Sequence, residues 1–233
     1  MHKKQLGIVY IVSTPIGNLN DITFRAVETL KSVPLIAAED TRKTRKLLNH
    51  FTIKTPSISY FEHNHFSRIE NILSHIKSGN DIAVVTDAGT PGISDPAYKL
   101  IREAVRIGAE IESIPGSSAV LAALTSSGLP TDRFIFEGFL PPKKGRTKRL
   151  SALKSETATI IFFENPKRLK RTLTDIRKQI GNRPAVVCRE LTKLHEEIIR
   201  GTVDELIAYF LKKEVRGECV ILIGKDDKNV HFK

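Results

Sequence analysis

The chain has 233 residues, 40% of them apolar and 27% charged, with a formal net charge of +11. That length suits two small domains or one large one with a sizeable core. The chain contains no apolar run of roughly 18 residues, which excludes a spanning helix, and two cysteines are too few for a disulfide framework.

The start, MHKKQLGIVYIVSTP, is basic and then apolar, as a secretory leader would be. Its apolar part is only about seven residues long and runs into the polar turn TPIGN, so it reads as a first strand of a cytoplasmic protein. Strands are predicted at 6–12, 35–38, 56–60, 82–86 and 111–114. Helices are predicted at 22–33, 42–50, 66–78, 96–107 and 118–127. This alternation implies βαβ units and a mostly parallel sheet. Residues 126–134, SSGLPTDRF, read as a linker. Beyond them, strands are predicted at 134–139, 158–163, 184–191, 197–201 and 218–224, and helices near 146–154, 166–180 and 203–213. More strands and fewer helices suggest a mixed sheet. The expectation is two α/β domains, residues 1–128 and 129–233.

Charge divides unevenly between the halves. Residues 1–130 carry 14 Lys+Arg against 12 Asp+Glu, and residues 131–233 carry 23 against 14. The excess favours a polyanionic partner for the second half. Five of the seven residues in KKGRTKR are basic: Lys143, Lys144, Arg146, Lys148 and Arg149. A loop of that kind suits a phosphate backbone. Lys167 and Arg168 open a second basic cluster. Solvated charge is the plain alternative for both. Cys188 and Cys219 lie in apolar runs and read as buried, reduced strand residues; no Cys/His group has metal spacing.

Four loops follow predicted strands of the first half: STPIGNLND (13–21), AEDTRKT (38–44), TDAGTPGISDP (86–96) and PGSSA (115–119). Ligands of open α/β sheets bind outside the carboxyl ends of the strands. Gly89, Gly92 and Gly116 would let a ligand lie against the main chain. Ser94-Asp95-Pro96 also suits a helix N-cap with no ligand at all. Neither G-x-G-x-x-G nor G-x-x-x-x-G-K-[ST] is present, which argues against a dinucleotide fold and a P-loop NTPase.

VSTPIGNLNDIT, AAEDTRKT, VVTDAGTPGISDP, IPGSSAVLAAL and EGFLPPKKGRTKR, in this order and spacing, resemble the ribosomal RNA small subunit methyltransferase I family of the tetrapyrrole methylase superfamily. The likeness continues through FFENPKRL, CRELTKLHEEIIRGT and RGECVILIG. It implies a homodimer whose chains have two α/β domains with S-adenosylmethionine (SAM) held in the cleft between them. It also implies methyl transfer to the ribose 2′-hydroxyl of a cytidine in the decoding region of 16S rRNA. Carried over by motif, the cofactor-facing residues are Pro15, Ile16, Asp87, Gly89, Thr90, Gly92, Ile93, Ser94, Ser118 and Ala119. From the second domain they are Phe163, Glu164, Arg189, Glu190, Gly217, Glu218 and Cys219. FFENPKR departs from a commoner Tyr-Glu-Ser-Pro-His-Arg style. Members often carry a further helical segment after the second domain, whereas this sequence reads to Lys233 soon after its last strand.

A ribose hydroxyl is a poor nucleophile, so the chemistry needs alignment and proton removal. Glu39 or Asp40 is the candidate base or orienting group, with Arg42 gripping phosphate. A helix N-cap at Asp40-Thr41 is the plain alternative. Two other functions stay open: a methyltransferase acting on a small, tetrapyrrole-type molecule, and a non-catalytic RNA-binding module.

Overall fold

A computed structural model describes residues 5–60, 65–225, 227, 230 and 232, with only the backbone of 65–67. The basic start, residues 1–4, lies outside them. Among the described residues no helix is long and apolar enough to cross a membrane. The chain forms two compact units, residues 1–118 and 119–233.

The first unit alternates strand and helix: β1 (Val9–Val12), α1 (Phe24–Ser32), β2 (Ile36–Ala38), α2 (Thr41–His50), β3 (Ser57–Ser59), α3 (His65–Lys77), β4 (Ile82–Val85), α4 (Ala97–Arg106) and β5 (Ile111–Ile114). All pairings are parallel, in the order β3-β2-β4-β1-β5. β1 is shorter than predicted because Gly7 N–H donates to Ile76 O and Ile8 N–H to Asp81 Oδ1, outside the ladder. The central strands are buried on both faces, and their side chains alternate between two cores. Val9, Ile11, Ile82 and Val84 meet Leu100 and Ala104 of α4 on one face. Val12, Ala83 and Val85 meet Ala26 and Leu30 of α1 on the other.

This topology positions a site. β1 feeds α1 and crosses β4 to reach β2; β4 feeds α4 and crosses β1 to reach β5. Adjacent strands therefore send their helices to opposite faces, which opens a crevice at their carboxyl ends.

The second unit contains α5 (Ala119–Ser127), β6 (Phe134–Phe139), α6 (Arg146–Ala152), β7 (Thr159–Glu164), α7 (Leu169–Gln179), β8 (Pro184–Arg189), β9 (Glu197–Thr202), α8 (Val203–Leu211) and β10 (Cys219–Ile223). Its sheet runs β6-β7-β10-β8-β9, parallel between β6 and β7 and antiparallel elsewhere. Phe162, Leu173, Ile176, Val187, Leu206, Phe210 and Ile221 fill the core on one face. Fully burying each such side chain stabilises the fold by about 1.5–3 kcal/mol.

The unit boundary falls at Ser118/Ala119, ten residues ahead of the division expected at 128/129. Helix α5 packs on β8, β9 and β10, and Arg200 of β9 donates to the carbonyls of Ser126 and Ser127 at its end. Gly128-Leu129-Pro130 is thus internal to the second unit. The two-domain α/β architecture, with a parallel first sheet and a mixed second sheet, is as the sequence implies.

Candidate functional site

Three loops at the carboxyl edge of the first sheet are knitted together. Thr14 and Gly89 exchange both main-chain hydrogen bonds, N–H to O at 2.9 and 3.0 Å, across the crevice between β1 and β4. Ser13 Oγ and Thr90 Oγ1 share a hydrogen bond at 2.9 Å, and Thr14 Oγ1 donates to Thr86 O at 3.2 Å. Thr90 Oγ1 also donates to Ser117 O in the loop after β5, at 3.4 Å. Pro15 and Ile16 follow this bridge, half-buried and buried.

The rest of the Thr86–Pro96 loop is held by Asp95. Gly92 N–H donates to both Asp95 oxygens at 3.0 and 2.8 Å, and Ala97 N–H donates to Oδ1 at 2.8 Å. One carboxylate thus caps α4 and closes the loop, while Ile93 stays 47% exposed. Ser94 adopts a left-handed φ of 66° and Gly92 a φ of 90°. Clearance for a ligand was the sequence reading of Gly92; the geometry supplies another reason. A Cβ there would lie 3.5 Å from Ile101 Cδ1 of α4, an ordinary contact, so the backbone angle is what requires glycine.

The AEDTR residues divide between two tasks. Glu39 Oε2 accepts from Thr86 Oγ1 at 2.5 Å and from Asp87 N–H at 3.1 Å, so it fixes the start of the neighbouring loop. Asp40 caps α2, accepting from Arg42 N–H at 2.9 Å, and also forms a two-point pair with the Arg42 guanidinium at 3.0 and 2.7 Å. Those hydrogen bonds hold the Asp40 carboxyl well below the usual carboxylate range. Asp40 is therefore a weak base, and the N-cap reading of Asp40-Thr41 holds. Arg42 itself is largely exposed. Lys43, which the sequence reading did not single out, donates to Asp87 Oδ2 at 2.6 Å. Asp87 Oδ1 is buried with no hydrogen-bond partner.

In the second unit, Phe163 and Glu164 end β7. The Glu164 side chain is fully buried and accepts from Asn165 N–H at 2.7 Å and Thr172 Oγ1 at 2.6 Å; it pairs with Arg168 at 2.7 Å. It is engaged by protein, contrary to the expected cofactor-facing role. Phe163 is half-buried, edge-on to Phe136 and Phe139. The end of β8 meets the start of β10: Glu190 N–H donates to Glu218 O at 3.0 Å, and Glu218 N–H to Glu190 Oε1 at 2.9 Å. Glu190 has a left-handed φ of 52°, and its side chain lies over Gly217, where a Cβ would fall 2.2 Å from Glu190 Cδ. Lys193 Nζ joins Glu190 and Glu218, each at 2.9 Å. Burial raises the pKa of Glu190, but the hydrogen bonds from Lys193 and Glu218 N–H outweigh it and leave it lowered. Cys219 is buried, and burial pushes both cysteine thiols up to about 12. Arg189 pairs with Glu197 at 3.1 Å and donates to Arg216 O at 2.8 Å.

The basic run does not act as one surface. Lys143, Lys144 and Lys148 are exposed, and Arg149 is exposed but pairs with Glu137 at 2.5 Å. Arg146 is only 4% exposed and pairs inward, which corrects its assignment as an RNA contact. Lys167 is exposed; Arg168 is half-buried against Glu164. Ser118 closes the first unit and Ala119 opens α5. Ser13, Lys43 and Lys193 were missed as individual residues, whereas Asp95 caps α4 as its place in Ser94-Asp95-Pro96 suggested. Each missed residue lies within or beside a quoted motif, but its contact is made by a partner that spacing does not show.

Residues 8–207 match the family model of tetrapyrrole (corrin/porphyrin) methylases. Solved structures share the fold: a diphthine synthase at TM-score 0.74 (16% identical, covering 97% of this chain and 92% of that one) and a cobalt precorrin-4 methyltransferase at 0.70 (20% identical, 93% and 94%). A uroporphyrin-III C-methyltransferase from Thermus thermophilus, complexed with S-adenosylhomocysteine, superposes at 0.67 with 19% identity, covering 94% and 97%. Sequence relatives lie much nearer. A Thermotoga maritima protein is 51% identical over 95% of this chain and 100% of its own length, and a Synechocystis protein is 52% identical over 94% and 80%. A Bacillus subtilis protein is 48% identical over 98% and 79%. All three are named ribosomal RNA small subunit methyltransferase I. The chain belongs to the tetrapyrrole methylase family and, within it, to the ribosomal RNA small subunit methyltransferase I family.

Proposed function

We propose that this protein transfers the methyl group of SAM to the ribose 2′-hydroxyl of a cytidine in the decoding region of 16S rRNA. The observation that carries the reading is identity near one half, over nearly the whole chain, to relatives named for the small ribosomal RNA. The exposed lysines of residues 143–148 agree with a polyanionic substrate.

The residues at the first sheet's edge fit SAM. Asp87 Oδ1 is a buried carboxyl oxygen without a donor, in the same loop as exposed Ile93 and as Gly89 of the bridge to Thr14. SAM brings an ammonium, a donor that the unpartnered oxygen could accept from, while Lys43 already holds the other oxygen. Pro15, Ile16, Asp87, Gly89, Thr90, Ile93 and Ser94 would hold it. When bound, the cofactor supplies an electrophilic methyl group on sulfur.

The chain's own task is to align the hydroxyl and exclude water. Holding two reactants in line is worth about 7–11 kcal/mol of the barrier. Glu39 serves as an orienting group, since its carboxylate fixes the Thr86-Asp87 end of the loop. Arg42, exposed and with its Nε and Nη2 held by Asp40, would meet a substrate phosphate through its remaining Nη1 donors. The same reading carries a cytoplasmic enzyme that acts as a homodimer; sedimentation of the pure protein tests the dimer.

The direct test is methyl transfer from radiolabelled SAM to three acceptors: unmethylated small ribosomal subunits, naked 16S rRNA and a tetrapyrrole precursor. Label on RNA, mapped to a ribose of a decoding-region cytidine, is expected. Label on the tetrapyrrole alone, or on a base, overturns the reading.

A further inference from the structure

The cation run from Lys143 to Arg149 contains one member of a different kind. Arg146 is the first residue of α6, and three lysines around it point to solvent while it is buried. Its Nε donates to Asp175 Oδ2 at 2.7 Å and its Nη2 to Thr172 Oγ1 at 2.6 Å, both on α7. Thr172 Oγ1 donates onward to Glu164 Oε2 at 2.6 Å, which ties the guanidinium to the end of β7. The same arginine also closes the loop before it. Its Nη1 donates to Pro141 O at 3.4 Å, and its main-chain N–H donates to Lys143 O at 3.3 Å. A guanidinium in this setting is out of reach of a phosphate, and its forked donors instead fix three elements at once.

We infer that Arg146 is a positioning residue for the substrate: it clamps the Pro141–Gly145 loop onto α7 and β7, and so sets where Lys143, Lys144 and Lys148 meet RNA phosphates. This rests on the RNA reading above. An arginine that serves stability alone would occupy the same pocket, so the test must separate the two roles.

The experiment is a binding cycle with naked 16S rRNA. Arg146→Gln is made in the wild-type background and in a background carrying Lys143→Gln, Lys144→Gln and Lys148→Gln. If the arginine works through the lysines, Arg146→Gln weakens RNA binding about tenfold in the first background and less than about twofold in the second, because coupled residues are not additive. The same loss in both backgrounds overturns the inference, and so does no loss in either. Should Arg146→Gln fail to fold by circular dichroism, Thr172→Val removes the Nη2 acceptor while keeping the side chain's shape. It is then carried through the same cycle with the same criteria. Absence of RNA binding by the wild-type protein would instead refute the proposed function, so the two failures are distinguishable.

Discussion

Glu39 and Thr86 meet at 2.5 Å, joining the end of one strand to the loop that leaves its neighbour. Glu39 follows β2 and Thr86 follows β4, and the same carboxylate oxygen takes the Asp87 N–H. A group that holds a loop is distinguishable from a group that removes a proton. Glu39→Gln retains an acceptor oxygen and should lower kcat by less than about tenfold. Glu39→Ala should weaken SAM binding by more than about tenfold. Loss of a general base would instead cost Glu39→Gln about 10²–10⁴-fold in kcat. Steady-state kinetics with titration calorimetry on both variants decides.

Gly92→Ala tests the backbone argument. Alanine has room beside Ile101, yet must adopt a φ of 90°. The left-handed region costs a residue with a Cβ about 1–2 kcal/mol. Urea unfolding should show a loss of that order, with SAM affinity reduced because the loop relaxes. Unchanged stability would mean the loop has a second, unstrained arrangement.

Acid should expose the Glu197 cluster. Burial raises the pKa of this carboxyl, but hydrogen bonds from Lys213 (2.6 Å), Tyr209 (2.5 Å) and Arg189 (3.1 Å) prevail and bring it to about 2. A lowered folded-state pKa stabilises the fold at pH values above the ordinary carboxyl pKa of 4.5. That contribution fades as pH falls from there toward about 2. Glu197→Gln should be less stable than wild type at pH 7, with the gap narrowing between about pH 4.5 and 2. Denaturant midpoints across that range measure it; a constant gap would contradict the assignment.

Binding to 16S rRNA should weaken steeply as salt rises. Each phosphate contact adds about 0.7–0.9 to the slope of log affinity against log salt. Replacing Lys143, Lys144 and Lys148 with Gln should lower the slope by about 2 if all three contact phosphate. Arg149→Gln should matter less, because its guanidinium is already paired with Glu137.

The sequence made the elements legible because their signals are local. Short continuous apolar runs marked β1 and β4, and Gly79 and Gly108 sit just past the ends of α3 and α4. The crevice at the sheet's carboxyl edge was legible too, since four decorated loops all followed strand ends. What escaped depended on partners distant in the chain. KKGRTKR looks uniform until Thr172 and Asp175, on another helix, draw one arginine inward. Glu164 lies in a motif that the resemblance implied would face the cofactor, but Arg168 and Thr172 claim its carboxylate. Helix α5 was assigned to the wrong side of the boundary because no local feature records which sheet it packs against; Gly128 and Pro130 marked a turn within the second unit.

The strand order of the second sheet has a consequence for how the chain is made. β10 is its last strand to leave the ribosome, yet it lies between β7 and β8 and pairs with both. The first sheet is complete by Ile114. The second must wait as two pieces, β6 with β7 and β8 with β9, each presenting a bare edge until residues 219–223 slot between them. Exposed strand edges recruit other chains. Translation stalled just short of Cys219 should therefore yield a folded first unit attached to an aggregation-prone second one, and residues 219–223 govern whether the second sheet assembles.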